Sequence, residues 1–142
     1  MNILISACLL GVKCRYDGGD NFLEKINLLK EKHTLIPVCP EIMGGLPTPR
    51  LPSEICGGRV FSNTGEDVTD KFSKGAGEAL YLAKLFQCKC AVLKERSPSC
   101  GKGRIYDGSF SKKLVDGNGI TAELLSNQGI IIYGESEIDI LL

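Results

Sequence analysis

Three of the seven cysteines, Cys8, Cys39 and Cys100, each lie just beyond a short apolar run: Asn2–Ser6, Thr34–Val38 and Cys90–Leu93. Thiolates are soft ligands that suit zinc, copper(I) and iron-sulfur groups. A reducing compartment disfavours structural disulfides, and an odd number of cysteines cannot all pair. Metal binding or thiol chemistry is therefore the first expectation. Each run reads as a buried parallel strand, so the three thiols are expected at one edge of a sheet, where together they could hold a metal.

The elements that would position them alternate. After the first strand and a glycine-containing segment, residues 21–32 carry Phe22, Ile26 and Leu29 at helical spacing behind a capping Asp20. The strand Thr34–Val38 follows. Residues 39–69 hold Pro40, Pro47, Pro49, Pro52 and many glycines, which reads as a long irregular loop. A helix is expected over 72–86, a third strand over Cys90–Leu93 and a second irregular loop over 94–118. Residues 120–127 read as a short helix ended by Gly129, 130–133 as a fourth strand and 135–142 as a short terminal helix. Such alternation predicts an α/β fold, a three-layer Rossmann-like or flavodoxin-like parallel sheet of about four strands with right-handed crossovers and helices on both faces. Ligands of these sheets bind beyond the carboxyl ends of the strands, near the topological switch point. All three cysteines are expected there.

A length of 142 residues suits one domain, 1–142. The 17 basic and 17 acidic residues balance, so nothing draws the chain as a whole to nucleic acid or an anionic membrane. The longest apolar stretches fall far short of the roughly 18 residues that a transmembrane helix needs, and the first residues lack the pattern of a secretion signal. A cytoplasmic protein is expected.

Four segments are more specific than the fold: Ser6-Ala7-Cys8-Leu9-Leu10-Gly11; Cys14-Arg15-Tyr16-Asp17-Gly18; Cys39-Pro40-Glu41 with Gly44-Gly45-Leu46-Pro47-Thr48-Pro49-Arg50; and Ser97-Pro98-Ser99-Cys100-Gly101. Together with Gly119-Ile120-Thr121-Ala122, these resemble the thiouracil desulfidase family of small bacterial proteins over nearly the whole chain. The resemblance implies a 4Fe-4S cluster held by Cys8, Cys39 and Cys100, with a fourth iron free to bind the sulfur of a thiolated nucleobase. Three protein ligands rather than four leave one position open for Lewis-acid chemistry. Water then attacks the adjacent carbon and sulfide leaves, without net redox change. Glu41 is the candidate general base, a role that burial would favour by raising a carboxyl pKa. Ser97 and Ser99 are candidates to hydrogen-bond the substrate or the departing sulfide, and Ser6, Arg15, Asp17 and Arg50 to bind substrate. The implied substrate is a small thiolated nucleobase or nucleoside, with no stable nucleic-acid partner.

Plainer readings compete. Glu41 could pair with Arg50, anchoring a loop, and Arg15 with Asp17. Cys14, six residues after Cys8, could sit near the cluster but is expected rather to pack or to be a spare thiol; Cys88 and Cys90 are expected in the core, and His33 at a helix end. Cys56 fits either reading. Two other classes remain open: a phosphatase-like enzyme with Cys8 as nucleophile, and a non-enzymatic module that binds a metal or thiolated nucleotide. The first is disfavoured because Cys14, not an arginine, is sixth after Cys8.

Overall fold

The computed structural model describes residues Met1–Leu142. In chain order the elements are β1 (Asn2–Ser6), a 3-10 turn (Ala7–Leu10), α1 (Ile26–Lys32), β2 (Thr34–Val38), α2 (Pro40–Met43), β3 (Ser53–Cys56), β4 (Arg59–Ser62) and α3 (Thr69–Leu85). Then come β5 (Cys90–Leu93), β6 (Arg104–Tyr106), β7 (Leu114–Asp116), α4 (Ile120–Asn127), β8 (Ile131–Gly134) and a 3-10 segment (Glu135–Leu141). The central sheet is parallel, in the order β2-β1-β5-β8, and β3-β4 and β6-β7 are separate antiparallel hairpins. The order reverses beside β1, which makes the β1/β5 boundary the switch point where such sheets hold ligands.

Alternation along β1 builds two cores. Ile3 and Ile5 pack with Leu9, Ile26, Leu29, Val92 and Ile138 under α1 and the final 3-10 segment. Leu4 faces the other way, onto Val38, Ala79, Ala83, Leu93 and Leu125 under α3 and α4. This is the expected three-layer α/β arrangement. Full burial of each such Leu or Ile contributes about 1.5–3 kcal/mol.

The long irregular loops of the sequence reading contain regular structure. Gly57 and Gly58, both at positive φ, close the β3-β4 hairpin, the backbone that a tight two-residue turn requires. The β6-β7 pair has only three residues per strand, too few for alternation to stand out. Helix α1 begins at Ile26 rather than at residue 21. The Asp20 carboxylate does cap locally, accepting the Phe22 N–H at 2.8 Å, but Phe22 is exposed and supplies no burial to hold a first turn.

One helix crossing bears directly on the site. α2 follows Cys39 and contains Glu41, and it lies on α3 through two glycines. A Cβ on Gly75 would stand 1.7 Å from Pro40 O, and one on Gly44 would stand 1.9 Å from Lys71 O. No side chain fits. Gly75→Ala must force the helices apart, and we expect it to lower stability by about 1–3 kcal/mol or more, measurable by urea unfolding. An unchanged midpoint would contradict this close approach.

Candidate metal centre

A cleft of about 540 Å³ opens at the carboxyl ends of β1, β2 and β5. Cys8, Cys14, Cys39 and Cys100 all line it, and all are free thiols. Of the remaining cysteines, Cys88 and Cys90 are buried in opposite cores, and Cys56 is exposed.

Local structure presents each sulfur. Cys8 lies in the 3-10 turn after β1, which Gly11 closes at φ +95 by donating its N–H to Cys8 O. Cys39 occupies the N-cap of α2, with Pro40 following at the first helical position. Cys100 ends a turn built on Ser97, whose Oγ accepts the N–H groups of Ser99 and Cys100, each at 3.1 Å. That turn is clamped to the start of α4: Ile120 N–H donates to Pro98 O at 2.9 Å and Thr121 N–H to Ser99 O at 2.8 Å. A Cβ at Gly119 would meet Ser99 O at 2.5 Å, so the Gly119-Ile120-Thr121 segment is the seat of the Cys100 turn.

The thiols feel one another. Burial raises the Cys8 pKa, a hydrogen bond from Asn21 opposes it, and negative charge on Cys39 adds to it. Cys100 is pushed up to about 12 by burial; the Ser6 hydroxyl opposes this, and negative charge on Glu41, Cys8 and Cys39 reinforces it. Cys39 moves the other way. Its thiolate accepts a hydrogen bond from the Cys14 thiol and another from Ile42 N–H at the start of α2, so the proton the pair shares rests on Cys14, whose pKa is raised. Thiolates are the reactive species. In the metal-free chain at pH 7, iodoacetamide should therefore modify Cys39 before Cys8 and Cys100, as peptide mass spectrometry would read; equal labelling of the three would contradict the arrangement.

Glu41 and Arg50 form the best-buried ion pair of the chain, Arg50 Nε to Glu41 Oε2 at 3.0 Å, with the side chains 18% and 5% exposed for Glu41 and Arg50. Arg50 also donates to Pro47 O and Thr48 Oγ1, and through its other terminal nitrogen to Cys14 O at 2.8 Å. Arg50 lines the cleft, and four of the five N–H groups of its guanidinium can be accounted for by these protein acceptors, so it fixes Glu41 and joins the loops after β1 and β2. Arg15 lines the cleft and stands 5.5 Å from the Tyr16 ring centroid. Ser6 and Ser97 line it as well. Ser6 Oγ also accepts the Lys94 N–H at 2.9 Å.

Two expected site residues fall outside the cleft lining. Ser99 is fully buried and shares a 2.8 Å hydrogen bond with Thr121 Oγ1, because its side chain points beneath the Cys100 turn. Asp17 accepts the Gly19 N–H and pairs with Arg15 at 3.4 Å in an exposed turn. Other residues also line the cleft. Cys14 is buried, as packing requires, and it also lines the cleft beside Cys39. Lys94 directly follows β5, the same strand-end signal that marked the cysteines, and its Nζ pairs with Glu135 at 2.6 Å. Tyr106, Phe110 and Lys112 reach the cleft from the β6-β7 hairpin.

The donor set suits an iron-sulfur cluster better than a single ion. No three His, Cys, Asp or Glu side chains converge closely enough to bind one metal ion. In a cluster each iron takes its own thiolate, so the ligands are held apart by the body of the cluster. Cys8, Cys39 and Cys100 line one cleft of about 540 Å³, and iron would compensate the negative charge that their deprotonation creates.

The 2-thiouracil desulfurase family model matches residues 3–137. This chain belongs to the 2-thiouracil desulfurase family. The matched span of the 2-thiouracil desulfurase family takes in every cysteine and both hairpins. A Bacillus subtilis (strain 168) protein, YbbK, is 41% identical, with 99% of each chain covered. The solved structure of TudS, a 4Fe-4S-dependent thiouracil desulfidase, is 42% identical with a TM-score of 0.93, covering 99% of this chain and 94% of the other.

Proposed function

We propose that this chain is a 4Fe-4S-dependent desulfidase that removes sulfur from a thiolated nucleobase or nucleoside by hydrolytic substitution. The observation that carries this reading is the convergence of strand-end thiols on one cleft, in a chain of the 2-thiouracil desulfurase family. The reaction balances without an electron donor: the C=S carbon gains the oxygen of water and sulfur departs as hydrogen sulfide.

Cys8, Cys39 and Cys100 would hold the cluster. When bound, it supplies a Lewis acid for the substrate sulfur through the iron that the protein leaves unligated. Glu41 takes the proton from the attacking water at Oε1 while Arg50 holds Oε2. Ser97 Oγ, already accepting two backbone N–H groups, directs its own proton toward substrate or departing sulfide. The Ser6 hydroxyl, beside Cys100, would favour its thiolate. Cys14 remains a thiol beside Cys39, and seven unpaired cysteines suit a reducing cytoplasm.

The Cys8-nucleophile reading loses ground on hydrogen bonding. A phosphate cradle needs free loop amides, whereas Gly11, Val12 and Cys14 donate theirs to Cys8, Ala7 and Val12 carbonyls. No helix is long and apolar enough to cross a membrane.

The test is anaerobic reconstitution with iron and sulfide, followed by incubation with thiouracil. Sulfide and uracil should appear in equal amounts over many turnovers. Binding without turnover would instead favour a carrier module.

A further inference from the structure

Four non-glycine residues have left-handed backbone: Gln87, Arg96, Phe110 and Lys112. The last three line the cleft. Such conformations are uncommon for bulky side chains and persist where the surroundings enforce them, often at binding sites. Phe110 (φ 55) is unusual in a second way. It is 37% exposed and belongs to none of the three hydrophobic groups of the core. Neither backbone preference nor core packing accounts for a phenylalanine there.

The hairpin tip that carries it is built. Glu54 Oε1, on β3, accepts the Gly108 N–H at 3.0 Å and the Phe110 N–H at 3.1 Å. Gly108 lies so close to β3 that a Cβ would meet Cys56 Cβ at 2.7 Å and Ile55 O at 2.8 Å. Two separate fastenings thus hold the tip against β3, with Phe110 in the cleft lining.

We propose that Phe110 is a specificity-determining residue whose ring stacks on the flat base of the substrate, and that Glu54 is the positioning residue that holds it there. The inference rests on the nucleobase reading above and deepens it. An aromatic face suits every planar base and gains most from one already anchored at another atom. The C=S sulfur supplies that anchor, so stacking selects for planarity while the sulfur selects for the thione.

Phe110→Leu, Phe110→Gly and Phe110→Tyr test the proposal in reconstituted protein of equal iron content. The first two should raise KM for thiouracil about tenfold or more with kcat little changed, and Phe110→Tyr should behave like the parent. Glu54→Ala should raise KM similarly. Phe110→Gly should leave Tm unchanged or higher, because glycine takes this backbone freely; a merely structural role would lower it. A second arm needs no cluster: uracil added to cluster-free protein should show upfield-shifted ring protons in ligand-observed NMR, lost in Phe110→Leu. Unchanged KM and unchanged uracil shifts in Phe110→Leu would overturn the proposal. Absence of turnover in the parent protein would strike the desulfidase reading instead, leaving the NMR arm to decide on stacking.

Discussion

Glu41→Gln should slow sulfide release about a hundredfold or more while leaving iron content unchanged. Glutamine keeps the shape and can still accept the Arg50 Nε–H, but it cannot take a proton from water. Losing a positioned general base generally removes a factor of 10²–10⁴. Stability should fall modestly, because Arg50 is 5% exposed and loses its counter-charge. Its remaining acceptors, Pro47 O, Thr48 Oγ1 and Cys14 O, limit that loss to about 1–3 kcal/mol. Rate and unfolding measured on one preparation separate the two effects. A variant at full speed would remove Glu41 from the chemistry, and one that cannot be loaded with iron would make it structural.

Replacing Cys8, Cys39 or Cys100 singly by alanine should abolish turnover and the broad absorbance near 400 nm of the reconstituted protein. With these three as the ligands, each substitution would leave an iron without its thiolate in a cleft whose one other thiol is Cys14. Cys14→Ala provides the contrast: it should retain iron and substantial activity, since its sulfur serves Cys39 through a hydrogen bond. Loss of the cluster in Cys14→Ala, with retention in one of the other three, would exchange the ligands. The comparison is informative because all four thiols line the same cleft.

The fold was legible where burial is two-sided. Asn2–Ser6 and Cys90–Leu93 are short, continuous apolar runs because these inner strands are covered by helices on both faces; Thr34–Val38, expected to be buried as well, is the edge strand β2, and only Val38 of it is buried. The ends of all three marked the site. The hairpins around the cleft left a weaker trace. β3-β4 is signalled only by the Gly57-Gly58 turn, and β6-β7 is held by its own three pairs and by Glu54 rather than by apolar alternation. Side-chain direction was the other hidden quantity. Ser97 and Ser99 are two residues apart in one turn, yet the first lines the cleft and the second bonds Thr121 beneath it. Arg50 carries a charge suited to substrate, but three loop acceptors and Glu41 claim it. Such outcomes depend on contacts between distant segments, which spacing along the chain does not encode.

The most direct test of the account is iron and acid-labile sulfide analysis of protein purified without oxygen. The account predicts about four iron and four sulfide per chain in the parent, reduced to near zero in Cys8→Ala, Cys39→Ala and Cys100→Ala. A colourless protein that stays free of iron and sulfide after anaerobic reconstitution would contradict it.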